Sequence, residues 1–154
     1  MRPAEEIRYL ILAAQREGNR RLAQELRPLG ITPSQAEVLR LLADRQPLAL
    51  SELGELLVCE SGNNPSRLVD RLVAAGLVRR DEGTQDRRRV ALTLTPEGAA
   101  TAGQVVEVEE RLYGRIDEAA AAYDAHAVAD FLRALVSGEP SGLALARRMA
   151  TQAR

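Results

Sequence analysis

A chain of 154 residues, 45% of them hydrophobic and 28% charged, is one domain's worth of material with enough apolar side chains to build a core, which excludes a disordered protein. Its longest charge-free stretches, 28–36 and 98–106, are nine residues each, far short of the roughly 20 that a membrane-spanning helix needs. A single cysteine, Cys59, and a single histidine, His126, exclude an internal disulfide and a Cys/His zinc site, and a net charge of −1 by itself points to no polyanion.

Residues 1–9 carry Glu5, Glu6 and Arg8 where a secretory signal needs an apolar run, so a cytoplasmic protein without a membrane partner is expected. Ile7, Leu10, Ile11, Ala14, Leu22 and Leu26 recur at helical spacing and predict an amphipathic helix from about Ala4 to Leu26, with Gly18 a weak point and Pro28 and Gly30 ending it. Thr32-Pro33-Ser34-Gln35 supplies an N-cap, a proline for the first helical position and a glutamine placed to close a capping box. The second helix should run to about Asp44 and bury Ala36, Val38, Leu39, Leu41 and Leu42. Gln46 and Pro47 break it, Ser51 is expected to open a short third helix with Leu53, Leu56 and Leu57 inside, and a turn follows over 60–64.

A fourth helix is expected from Pro65, capped by Asn64 and stopped by Gly76, because the residue before a proline avoids helical geometry and asparagine is a good cap. Leu68, Val69, Leu72 and Val73 form its buried stripe, which leaves Ser66, Arg67, Asp70 and Arg71 facing outward. The β-prone runs 77–80 and 90–94 flank a turn-rich segment, 81–86, and predict a hairpin with a basic tip that includes Arg87, Arg88 and Arg89. After Pro96 and Gly98 a helix should continue to about Ala122, marked by Val105, Val108, Leu112 and Ile116. Asp124 can cap another carrying Val128, Phe131, Leu132, Leu135 and Val136, and Ser141 can start a short tail helix through Leu143, Ala146 and Met149.

Every one of the 21 basic residues is arginine. From 61 to 95 seven arginines face four acids, a local balance of +3, whereas the remainder carries fourteen against eighteen. A basic segment inside an acidic chain attracts a polyanion locally. Three helices followed by a hairpin is the layout of a winged helix-turn-helix, in which one helix enters the DNA major groove. The side chains agree. Arginine reads guanine, asparagine reads adenine and a narrow minor groove draws in arginine; Arg67, Asn63 or Asn64, and Arg88 offer one of each. Ser51 and the free N–H groups at its helix start could hold a phosphate.

Ser66-Arg67-Leu68-Val69-Asp70-Arg71-Leu72, then Gly76-Leu77-Val78-Arg79-Arg80, Asp86-Arg87-Arg88-Arg89-Val90 and Leu94-Thr95-Pro96-Glu97-Gly98 together resemble the MarR family of bacterial transcription regulators. The resemblance covers about Ile7 to Val136. It implies a mainly α (α+β) fold in one domain, 1–154: a winged helix-turn-helix lobe over about 32–98, dimerisation helices over about 4–27 and 99–137, and a tail over 138–154. It further implies a homodimer on a pseudo-palindromic site in double-stranded DNA, a repressor released when a small aromatic or anionic effector enters between lobe and dimer region, with no cofactor. Arg88 matches the family's wing arginine, which reaches the minor groove, and Asp86 the acid that holds the wing in shape. The chain departs from the pattern at Gly62-Asn63-Asn64-Pro65, where relatives have a hydroxyl-rich, proline-free start to the recognition helix.

Plainer roles stand beside these. Arg67 and Arg71 could be solvated charges or partners of Asp70 and Asp86. Cys59, at the end of an apolar run, is expected to be a buried structural thiol, and His126 a cap-region or surface residue. Tyr9, Tyr113 and Tyr123 suit either an effector pocket or an interface. Glu107, Glu109 and Glu110 read as a solvated helical face. With no nucleophile-base pair, glycine-rich phosphate loop or metal cluster, an enzyme is not expected. The competing reading is a winged-helix module that binds a protein rather than DNA. Apolar residues at both chain ends, among them Ile7, Leu10, Phe131 and Leu132, exceed what one lobe can bury, and so predict self-association.

Overall fold

The computed structural model of the chain describes residues 1–59, 64–82 and 90–152. Helix α1 (Pro3–Leu26) begins on a proline with Glu5 and Glu6 in its first turn, runs unbroken through Gly18, and ends in a 3-10 turn, Arg27–Leu29. Gly30, at φ +69°, closes that turn in a conformation other side chains resist. In α2 (Pro33–Arg45) the expected capping box forms: the Gln35 N–H donates to Thr32 Oγ1 at 3.3 Å, and the Thr32 N–H donates back to Gln35 Oε1 at 2.9 Å.

Leu48 and Ala49 then make a two-residue strand, β1, which the apolar pattern did not announce, and α3 (Leu50–Leu56) follows at once. The helix start expected at Ser51 is corrected to Leu50. Pairing with a later strand keeps the backbone extended through Ala49, whose N–H donates to the Glu52 carboxylate at 2.7 Å, so Ser51 lies inside the first turn. Helix α4 (Pro65–Ala74) leads to β2 (Val78–Glu82), and β3 (Val90–Leu94) runs back antiparallel to both other strands in the order β1-β3-β2. The register sets Leu92 between Leu48 and Arg80. Leu39, Leu42, Leu53, Leu72, Leu92, Val38, Val69, Val78 and Val105 are fully buried, so α2 lies at the centre with α5 (Pro96–Ala120), α4 and the sheet around it.

Asp124 caps α6 (Ala125–Val136) as expected, accepting from the N–H groups of His126 and Ala127. No residue of α6 is buried. The last helix, α7 (Pro140–Gln152), starts one residue before Ser141, and its inner position is Ala144 rather than Leu143, Ala146 or Met149. It turns back onto α3 and α2, where the Arg147 guanidinium lies 3.7 Å from the Glu55 carboxylate and Arg148 meets Glu37. Arg40 reaches Glu109 at 3.1 Å and Arg111 reaches Glu25 at 2.8 Å, so α5 is tied to α2 and α1 by further ion pairs. Beside the first of these, partial burial raises the Tyr113 hydroxyl above its ordinary pKa; Glu109 adds to the shift, and Arg40 and Arg148 oppose it. No helix among the described residues is long and apolar enough to cross a membrane.

Gly98, in the first turn of α5, packs against the backbone of Leu77 so closely that a Cβ there would lie 1.9 Å from the Leu77 carbonyl oxygen. Gly103, further along the same helix, has open space around it. Gly98→Ala should therefore lower the unfolding free energy by about 1–3 kcal/mol through enforced backbone movement, whereas Gly103→Ala should raise it by about 0.5–1 kcal/mol through helix propensity. Urea denaturation of both variants beside the wild type checks the opposite signs.

Candidate nucleic-acid interface

Helix α4 is bounded at both ends by backbone-satisfying contacts. Asn64 Oδ1 accepts the Arg67 N–H at 3.2 Å, and Pro65 occupies the first position, where a missing N–H costs nothing. At the other end Gly76 has φ +73°, the Gly76 N–H donates to the Val73 carbonyl and the Leu77 N–H to the Leu72 carbonyl, a Schellman arrangement with Leu72 and Leu77 both buried. The Pro65 ring approaches within 3.4 Å of the space a Gly54 side chain would need, so α3 and α4 meet closely at their junction.

These constraints determine which side chains α4 turns outward. Leu68, Val69 and Leu72 are buried, Val73 is half-buried rather than fully enclosed, and Arg67, Asp70 and Arg71 are exposed, with Ser66 half-buried at their edge. Asp70 does not pair with Arg67 or Arg71; it accepts a hydrogen bond from Arg80 at 2.5 Å. The reason is the tight turn at Gly76, which brings β2 back beside α4. That ion pair braces the helix against the strand and leaves the guanidinium groups of Arg67 and Arg71, one helical turn apart, without an acid among the described residues. Both lie on the face that points away from the core.

Ser51 is exposed in the first turn of the seven-residue α3. Asn64 is exposed too, but its side-chain oxygen is engaged as the cap. Asn63, Asp86, Arg87 and Arg88 lie outside the described residues, as do the turn positions 60–63. On the strands, Thr93 donates to Asp81 at 2.7 Å, and Arg79 is exposed beside them.

Cys59 is exposed, which corrects the expectation of a buried thiol. Its N–H, like that of Val58, points inward to the buried Glu37 carboxylate, so it is the backbone of this segment that is anchored. Its side chain borders a surface groove with Arg16, Arg20 and Ser34. His126 stands at the start of α6, where its N–H serves the cap, and Tyr9, Tyr113 and Tyr123 are all exposed. Among the described residues no group of three His, Cys, Asp or Glu side chains is placed to hold a metal ion.

Two positioning contacts escaped the sequence pattern. The Asp70–Arg80 pair joins residues on different elements and has no periodic signature. Thr95, by contrast, carries one: Thr-Pro opens α5 as Thr32-Pro33 opens α2, with the Gly98 N–H donating to Thr95 Oγ1 at 2.9 Å. The Thr95 hydroxyl in turn donates to the Gly76 carbonyl at 2.6 Å, tying the end of α4 to the start of α5.

The family model for MarR matches residues 31–90, from just before α2 to the start of β3. Wild-type MarR from E. coli in its apo form is 30% identical over 82% of this chain and 92% of its own, with a TM-score of 0.61. The chain belongs to the MarR family. A mutant of E. coli MarR in complex with operator DNA is 29% identical over 88% of this chain and 96% of its own, with a TM-score of 0.68. The organic hydroperoxide resistance transcriptional regulator of Bacillus subtilis (strain 168) is 28% identical over 114 residues, 74% of this chain and 77% of that protein. The S. aureus MepR–DNA complex, at 20% identity and a TM-score of 0.71, shares the fold.

The cap at Asn64 has a measurable consequence in this MarR-family lobe. Asn64→Ala removes the acceptor of the Arg67 N–H and should cost about 1 kcal/mol of stability. Asn64→Asp keeps the acceptor and should retain wild-type stability. Thermal denaturation of the pair separates the capping role from any contact the side chain makes with a ligand.

Proposed function

We propose that this MarR-family chain is a sequence-specific DNA-binding transcription regulator that works as a cytoplasmic homodimer, each copy setting its α4 into the major groove of one half of a pseudo-palindromic operator. The observation that carries the reading is the outward face of α4, where Arg67 and Arg71 stay clear of acids among the described residues because Asp70 is taken by Arg80. In this reading Arg67 contacts guanine in the major groove, and Arg71 follows on the same face toward the DNA backbone. Ser51 contributes a phosphate contact from the first turn of α3. With the Asn64 oxygen committed to the cap, Asn63 is the asparagine available to read adenine, and Ser66 lies at the edge of the same face. Arg87 and Arg88 supply the wing's charge, Arg88 in the minor groove, with Asp86 shaping the wing. The complex of the E. coli relative with operator DNA supports this assignment.

Repression relieved by a small aromatic or anionic effector completes the reading. A cleft of about 670 Å³ between α3 and the α6–α7 junction, walled by Leu57, Val58, Val136, Leu143 and Ala144, lies where such a ligand would change the position of the lobe against the helices. Effector and DNA then weaken each other's binding by one and the same factor.

Ile7, Leu10 and Ile11 on α1, Ile116 on α5, Phe131, Leu132 and Leu135 on α6, and Met149 on α7 are all more than a third exposed in the single chain. A helix such as α6, amphipathic but with nothing buried, needs a partner surface, and a second copy offers the same face by two-fold symmetry. Sedimentation at micromolar concentration should give twice the 16.8 kDa of one chain; a monomer only would overturn the homodimer.

DNA readout is tested by two variants. Arg67→Ala should cost roughly 1–3 kcal/mol per half-site and relax the preference at one base pair. Arg88→Ala should weaken binding to all sequences and lower the salt slope by about one unit for each arginine withdrawn from the DNA. Titrations against matched and singly substituted sites at several salt concentrations read both, and wild-type affinity for both variants on every site would exclude this surface.

A further inference from the structure

Among the described residues Glu37 is the single buried ionisable side chain, on the central helix α2 with 6% of the side chain exposed. A carboxylate in such a place must be compensated. Its oxygens accept from three donors: the Val58 N–H at 2.9 Å, the Cys59 N–H at 2.8 Å and the Arg148 guanidinium at 2.5 Å. The first two belong to the segment that leaves α3 and leads, through residues 60–63, into Asn64 and α4. The third belongs to α7, which is 111 residues away in sequence from Glu37. Arg148 is itself fixed on α2, because its carbonyl oxygen accepts from Arg45 at 2.5 Å.

One buried carboxylate therefore joins the exit of α3, at Val58 and Cys59, to α7. Two amide donors alone do not neutralise it; Arg148 supplies the opposite charge. Without that guanidinium the carboxylate gains by turning toward water, and turning releases the Val58 and Cys59 amides together. We propose that Glu37 is a positioning residue for α4, and that Arg148 is the link through which α7 holds Val58 and Cys59, the residues that leave α3 ahead of that helix. The proposal rests on the reading that α4 contacts DNA. It makes α7, which carries none of the residues proposed to touch DNA, part of what determines sequence preference.

The test uses full-length protein and three variants. Arg148→Met keeps most of the stem and removes the guanidinium, Arg148→Lys keeps a charge, and Glu55→Gln weakens the other ion pair between α7 and the lobe while leaving Glu37 and Arg148 in place. Amide exchange is followed at Val58 and Cys59, with Val38 and Leu39 reporting an intact core. Affinity is measured for a duplex selected from a random pool by the wild-type protein and for a scrambled duplex. Arg148→Met should speed exchange at Val58 and Cys59 and weaken binding to the selected duplex, each by roughly tenfold, the scale of losing a hydrogen bond to a charged group, while binding to the scrambled duplex is unchanged. Arg148→Lys should recover most of both losses, and Glu55→Gln should show neither. Wild-type exchange in Arg148→Met, equal effects of Glu55→Gln and Arg148→Met, or faster exchange with unchanged preference for the selected duplex would each overturn the proposal. Should the wild-type protein select no duplex, the DNA-binding reading fails on its own, and the exchange measurement still decides whether Arg148 orders the segment.

Discussion

The backbone of Gly76 and Leu77 holds α4, the sheet and the long helix α5 in one hydrogen-bonded knot. Gly76 accepts the left-handed conformation that ends α4, and its carbonyl takes the Thr95 hydroxyl. The Leu77 N–H closes α4 against the Leu72 carbonyl, while the Leu77 carbonyl accepts the Thr95 N–H at 3.1 Å. Gly98 leaves room for that carbonyl where any side chain would collide with it. The direction of β2, the brace between Asp70 and Arg80, and the outward presentation of Arg67 and Arg71 all follow from this turn. So does the angle at which α5 departs toward the other helices.

Above the lobe the chain behaves differently. Helices α6 and α7 and the start of α1 bury little against their own chain, and their apolar side chains gather on one side. Helix α7 meets the lobe through the buried Ala144 and through two ion pairs, Arg148 with Glu37 and Arg147 with Glu55. The Arg147–Glu55 pair, exposed on both sides, is individually weak, whereas burial of Glu37 makes the Arg148 pair costly to break. Helix α7 adds one buried apolar residue to its contact, so it can shift against the lobe at less cost than α5, whose Ala102, Val105 and Val108 belong to the continuous apolar core.

Much of this was legible from local chemistry. The Thr32–Gln35 capping box, Asn64 ahead of Pro65, Gly76 after α4 and Asp124 before α6 are signals that act within a few residues, and each marks the boundary where the helix is found. The period of the apolar residues likewise identified the buried faces of α2 and α4. What local reading missed depends on distant pairing. The strand β1 exists because Leu48 and Ala49 meet Leu92 and Ala91, and α3 starts earlier for the same reason. Cys59 closes an apolar run, yet it is exposed because its backbone is drawn to a carboxylate on α2. Ala144 and Arg148 owe their roles to α7 folding back onto the lobe, which no periodicity within residues 138–154 reveals. The residues proposed to read DNA follow the same division. Arg67 and Arg71 were placed on the outer face of α4 by period alone, whereas their freedom from Asp70 required the strand that follows.

The sheet order also governs how copies of the molecule can meet. Strand β3 lies in the middle, which leaves β1 and β2 with unpaired edges. An open edge invites another chain to add a strand, the route to uncontrolled polymers. Here β1 extends for only two residues, and β2 carries the adjoining charges Arg79, Arg80 and Asp81, already engaged with Asp70 and Thr93. A foreign strand would have to strip water from these groups for the sake of very few backbone bonds. The sheet is thus poorly suited to recruiting neighbours, which leaves the exposed apolar faces of the helices as the surface for the proposed pairing.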